Sequence, residues 1–212
     1  MGWLAALLLA QATVGGTVPA DMAAVAGRYD GSRMEMGAEL ELAPDGRFQY
    51  ALAYGALDEV ATGRWRVADG AVILDSDPVR APAYRFIDRG TEKSGRIVAR
   101  LIVPKGMEPQ YFSFVLLRAG DRPIERQVGY GGNTELAYDP AYPPTEIRLM
   151  LPIYDLISPA FPLDLAKAGR RIEVAFTPND LGRVAFADTH LPIVKDGLRF
   201  ERFGATILFR KR

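Results

Sequence analysis

From Glu39 onward apolar side chains fall at every second position, in runs separated by turn-forming residues. Glu39-Leu40-Glu41-Leu42 alternates, Pro44-Asp45-Gly46 breaks the run, and Phe48, Tyr50, Leu52 and Tyr54 alternate beyond it. Proline presets φ and glycine accepts positive φ, so the interruption has the chemistry of a hairpin turn. The same grammar follows in Trp65/Val67, Ala68-Asp69-Gly70 and Ala71–Leu74. It continues through Tyr84/Phe86, a charged turn over Asp88–Gly95, and Ile97/Ala99/Leu101/Val103. A Pro104-Lys105-Gly106 corner then leads into Tyr111–Leu117, which is apolar on both faces. A period of two marks half-buried strands, and strands recurring about every 8–12 residues indicate an antiparallel barrel or sandwich. No window reads as a helix of ten residues or more. The expected class is all-β: an antiparallel up-and-down barrel or sandwich, followed by a second, smaller β module.

Four segments are expected. Residues 1–20 hold an uninterrupted apolar run, Trp3–Ala10, followed by Ala10-Gln11-Ala12 and later Val18-Pro19-Ala20, both of small-x-small form. The run is shorter than the ~20 residues that span a bilayer, and it reads as an export signal cleaved after Ala12 or Ala20. That places the mature chain outside the cytoplasm, periplasmic or secreted, and not membrane-spanning. Residues 21–120 form the barrel. Residues 121–145, with Gly129-Tyr130-Gly131-Gly132 and Tyr138–Pro144, read as an irregular linker or covering loop. Residues 146–212 carry further alternation at Ile147/Leu149/Leu151, Ile172/Val174/Phe176 and Leu198/Phe200, and are expected to form the second module, a single larger β domain being the alternative. One short helical turn is expected within Pro159–Ala168, stopped by Gly169.

Composition and spacing exclude several chemistries. The 26 basic and 26 acidic residues give no net charge, so the basic footprint of a nucleic-acid binder is missing. With no cysteine there is no disulfide scaffold, thiolate zinc site or iron–sulfur cluster. Asp188 and His190 share a strand face, but two ligands do not make a metal site, and no second histidine is present to complete one. Met34 and Met36 share a face too and read as core filler. No serine sits in Gly-x-Ser-x-Gly. The adjacent carboxylates Asp58 and Glu59 point to opposite faces of a strand and read as a solvated turn. Arg64, Arg66 and Arg210–Arg212 read as a solvated sheet edge and tail. No catalytic residue, metal or cofactor is expected, and the chain reads as a non-enzyme.

Gly27-Arg28-Tyr29, then Leu40–Phe48 in the form L-x-L-x-x-D-G-x-F, Gly63-Arg64-Trp65 and Ala68–Leu74 resemble the lipocalin-like (calycin) β-barrel domains of secreted bacterial proteins. The likeness spans about residues 24–118, with Tyr29 where that family carries tryptophan. It implies an up-and-down barrel that holds a small apolar ligand. The face expected to turn inward carries Phe48, Tyr50, Tyr54, Trp65, Tyr84, Phe86, Phe112 and Phe114. Aromatic walls with a few phenolic hydroxyls suit an apolar molecule with one polar end. The expected function is therefore binding or carriage of a small hydrophobic molecule without catalysis. The alternative is a structural or interaction module of the bacterial cell envelope whose rings simply fill its core.

Overall fold

The computed structural model describes residues 20–212. Apart from Ala20, the export signal read over residues 1–20 lies outside them. A short helix, α1 (Ala20–Val25), leads into five antiparallel strands laid down in order: β1 (Gly27–Asp30), β2 (Met36–Leu42), β3 (Arg47–Tyr54), β4 (Leu57–Ala68) and β5 (Ala71–Ser76). Their turns follow the local sequence. Asp69 and Gly70 both take positive φ (50° and 72°) in the two-residue loop between Ala68 and Ala71. That conformation matches the right-handed twist of the strands it joins. The interior face alternates as expected, with Met36, Ala38, Leu40 and Leu42 on β2 and Phe48, Tyr50 and Leu52 on β3 all buried. At Gly63 two strands approach closely: a Cβ there would sit 2.1 Å from the Asp75 carbonyl oxygen and 2.6 Å from the Phe48 ring.

The chain then leaves the barrel and builds a β-sandwich. Its strands are β6 (Ala83–Glu92), β7 (Arg96–Ile102), β8 (Ser113–Leu117), β9 (Ile124–Gln127), β10 (Asn133–Ala137), β11 (Glu146–Leu151), β12 (Leu156–Ile157), β13 (Phe161–Pro162) and β14 (Gly169–Thr177). One sheet runs β10-β7-β14-β6 and the other β12-β11-β8-β9, with β13 also paired to β11. Ile97, Leu101, Leu136, Ile172, Val174 and Phe176 of the first sheet meet Phe114, Leu116, Ile147, Leu149 and Leu151 of the second in one core.

Residues 189–211 return to the barrel as β15 (Thr189–Val194), β16 (Gly197–Arg202) and β17 (Ala205–Lys211). β15 pairs with β5 and β17 with β1, closing eight antiparallel strands. With the sandwich set aside, the barrel is an uninterrupted up-and-down meander.

This connectivity corrects the expected segmentation. The barrel takes residues 27–76 and 189–211, and the stretch 83–117 assigned to it belongs to the sandwich. The expected module 146–212 is divided between the two units. Period-two alternation records which face of a strand is buried and not which strand lies beside it. The expected hairpin of β6 and β7 illustrates the point, since β14 lies between them, antiparallel to β6 and parallel to β7. Residues 121–145 are no loose cover, because β9 pairs with β8 and β10 with β7, carrying the chain from one sheet to the other. No helical turn forms within 159–168. Gly169 instead opens β14 where a Cβ would lie 1.8 Å from the Arg96 carbonyl oxygen.

Candidate functional site

The barrel interior is occupied by its own side chains. Tyr50 makes edge-on contacts with Phe186, Phe200 and Phe209, at centroid separations of 5.2, 6.0 and 6.5 Å. Phe186, in the segment returning from the sandwich, is held by Ser76 through paired backbone and side-chain hydrogen bonds, and it also reaches Phe48. Trp65 donates its indole N–H to the Ala43 carbonyl at 2.9 Å, while Met22 and Val25 of α1 pack against the same core. Such rings each bury a large area and supply much of the packing energy.

Three polar groups face into this apolar volume. Glu59 is buried and accepts two hydrogen bonds from the Arg202 guanidinium, at 2.6 and 3.1 Å. The Tyr50 hydroxyl is buried close to them, without a hydrogen-bond partner among the described residues. Burial first, and the Glu59 carboxylate second, push its phenol above the ordinary range. Glu59 corrects the reading of Asp58-Glu59 as a solvated turn, for it shares the inward face of β4 with Ala61, Gly63 and Trp65. Parity counted back from Trp65 was the signal that could have found it. Arg202 stands likewise in step with Leu198 and Phe200 on β16.

The eight aromatic residues expected to share one interior are dispersed. Phe48, Tyr50 and Trp65 lie in the barrel core. Tyr54 is 54% exposed at the end of β3, next to the two-residue loop that leads into β4. Phe112 and Phe114 are buried in the sandwich core, and Tyr84 and Phe86 pack against it. The division follows from the strand order, since every aromatic residue after Ser76 and before Phe186 belongs to the sandwich or its connections. Met34 is also on the outside, 90% exposed in the tight turn between Arg33 and Met36, so the two methionines share no face. The arginines read as a solvated edge and tail are exposed, and two of them are also paired: Arg66 bonds Asp75 and Asp188, and Arg212 bonds Asp30 and Glu39. His190 Nε2 lies 3.3 Å from Asp188 on the exposed surface. Among the described residues no three His, Asp or Glu side chains are grouped to hold a metal ion.

An apolar recess lies where the sandwich meets the barrel, a cleft of 260 Å³. Ala56, in the β3–β4 loop, supplies the barrel side. Met107, Glu108 and Tyr111 come from the β7–β8 connection, and Leu151 and Tyr154 from the end of β11 and the turn after it. Leu181 comes from the return segment, in a turn closed by its own N–H on the Pro178 carbonyl at 2.9 Å. Buried Phe112 lines the cleft and stands edge-on to Phe176 at 5.0 Å, the only one of the eight expected residues to reach it. The neighbouring backbone ties the units together, with Val60 donating to the Gly182 carbonyl and Val184 to the Val60 carbonyl, each at 2.9 Å. Partial burial, then the carboxylates of Asp58 and Glu59, raise the Tyr154 phenol. Comparison of the chain with protein-family models, curated proteins and solved structures finds no match.

Proposed function

We propose that the chain is a non-catalytic binding protein in which a lipocalin-like barrel serves as scaffold, and that its ligand site is the apolar cleft between barrel and sandwich. The observation that carries this reading is the convergence of Phe112, Leu151, Leu181 and Met107 on one recess, with Tyr111 and Tyr154 also in its lining. Ligand pockets favour junctions between structural units and apolar walls with a few polar groups. A volume of 260 Å³ corresponds to roughly nine waters at ~30 Å³ each, which suits a small molecule or one alkyl chain. Displacing poorly bonded water from such walls stabilises the complex by about 0.8 kcal/mol per buried methylene. The filled barrel argues for moving the ligand from the interior, where the sequence placed it, to this junction.

Calorimetric titration with 1-octanol, a neutral probe, tests the reading on wild-type protein and on Leu181→Gln. Saturable binding that weakens at least tenfold in the variant supports it. Equal binding by the two proteins overturns it.

A second reading, as an interaction module of the cell envelope, is favoured by the packed barrel core and by Tyr130, 84% exposed in the β9–β10 turn. Loss of a defined envelope partner on Tyr130→Ala, with octanol binding absent, would favour it. For both readings we propose export, tested by the N-terminal sequence of the protein recovered outside the cytoplasm. A start after Ala12 or Ala20 supports export, and an intact Met1 contradicts it.

A further inference from the structure

The sheet β10-β7-β14-β6 turns one face into the sandwich core and the other outward. With Ile97, Ala99 and Leu101 buried, parity sends Arg96 and Arg100 of β7 to the outer face. Arg171 and Glu173 of β14 join them, as do Arg85 and Arg89 of β6. Five arginines meet three glutamates there, and each glutamate is taken by one arginine. Arg89 holds Glu173 at 2.6 Å, Arg171 holds Glu92 at 2.8 Å, and Arg96 holds Glu135 of β10. The remaining charges of these strands, Asp88 and Arg170, pair with each other at 3.4 Å. Within four residues of the strand ends lie Arg80, Lys93, Lys105 and Lys167 against Asp139 and Asp180, so the rim adds to the positive excess.

Arg85 and Arg100 are left over. Both are exposed, and neither forms an ion pair among the described residues. Register sets them on opposite flanks of β14, Arg100 beside Glu173 and Arg85 beside Ala175. At ordinary strand spacing their Cα atoms stand roughly 12 Å apart, close to the span of four residues of extended chain at ~3.3 Å each. Ile102, 41% exposed, lies across Ala175 from Arg85 and adds aliphatic surface between them. The Arg89 hydrogen bond first, with the charges of Arg100 and Arg85 assisting, holds the Glu173 carboxyl below the ordinary glutamate range.

We propose that this outer sheet face docks an extended acidic segment of a partner protein, with two of its carboxylates on Arg85 and Arg100. The guanidinium fork matches a carboxylate, and arginine beside aliphatic surface is the make-up of a protein interface. A bilayer fits less well, because the outward residues of these four strands include no aromatic ring to anchor in it. The 26 basic and 26 acidic residues of the chain cancel, so attraction for a polyanion comes from placement and not from net charge.

The test adds poly-L-glutamate, at low ionic strength, to the isotopically labelled full chain. The expected result is shifts at the Arg85 and Arg100 Nε–Hε resonances and at amides of β6, β7 and β14, fading as salt is added. Arg85→Gln with Arg100→Gln is expected to weaken binding about tenfold, the size two exposed charge pairs supply. Arg126→Gln with Arg210→Gln removes the same charge at exposed positions outside this sheet and is expected to change affinity less than twofold. Equal weakening by the two double variants overturns the proposal, as does an absence of shifts on this face. Sedimentation with phosphatidylglycerol vesicles, with polyglutamate silent, overturns the choice of a protein partner.

Discussion

Arg202 grips Glu59 through Nε and Nη2, at 3.1 and 2.6 Å, across 143 positions of sequence. One residue lies on β4, in the first-laid part of the barrel, and the other on β16, in the last-laid part. The pair forms only when residues 189–211 return to close the barrel, so it couples two halves that the sandwich separates in sequence.

Breaking one side of this pair leaves the other without its partner in a largely apolar setting. Glu59→Gln is expected to cost about 2–4 kcal/mol, somewhat below a fully buried pair because the Arg202 side chain keeps 27% of its exposure. Replacing both residues by leucine is expected to restore most of that loss. Urea unfolding of the single and double variants measures it, and a wild-type midpoint for Glu59→Gln would refute the coupling.

Tyr50→Phe should act in the opposite direction. The Tyr50 hydroxyl is buried with no partner among the described residues, so folding removes it from water without compensation. Deleting it is expected to stabilise the protein by about 1–2 kcal/mol, measured by the same denaturation.

At Gly63 there is no room for a methyl group, with backbone on one side and the Phe48 ring on the other. Overpacking typically costs about 1–3 kcal/mol where side chains adjust, and the Asp75 carbonyl is fixed by the sheet. Gly63→Ala is expected to lose at least 3 kcal/mol or fail to fold, whereas Gly37→Ala, with open space around it, should stay close to wild type. Circular dichroism melting of the two variants checks this contrast.

Asp77, just beyond β5, accepts two hydrogen bonds from Arg47 and one from Thr62, which hold its carboxyl down at about 2. An unfolded aspartate titrates near 3.9, so between the two values the unfolded chain binds the proton preferentially. The contribution of Asp77 is thus complete above about pH 4 and drains away as pH falls toward 2. Asp77→Asn should flatten that acid limb of the stability curve. Asp30, also held at about 2 by Ser32 and Arg212, should leave a residual slope.

Much of the fold was legible wherever the determinant was local. Asp69-Gly70 announced its turn because its chemistry suits the conformation found there, and Phe48, Tyr50 and Trp65 faced inward because parity along a strand leaves no other choice once one residue is buried. Partner choice was not legible. Nothing in Thr206–Phe209 marks it as the neighbour of Gly27–Asp30, and the placement of β14 between β6 and β7 arises from packing of the whole sandwich. For the same reason the aromatic set divided between two cores, since residues with identical alternation lay on different sheets. Glu59 is within reach of parity, in step with Ala61, Gly63 and Trp65 on β4. The cleft is not, because Ala56, Phe112, Tyr154 and Leu181 meet only through tertiary structure.

The sharpest test of where ligand binds is an isotope-filtered NOE experiment on methyl-labelled protein with 1-octanol present. Contacts from the octyl chain to the methyls of Met107, Leu151 and Leu181 are the predicted result. Contacts instead to Leu52, Leu198 and Ile207, inside the barrel, would contradict it and return the ligand to the interior.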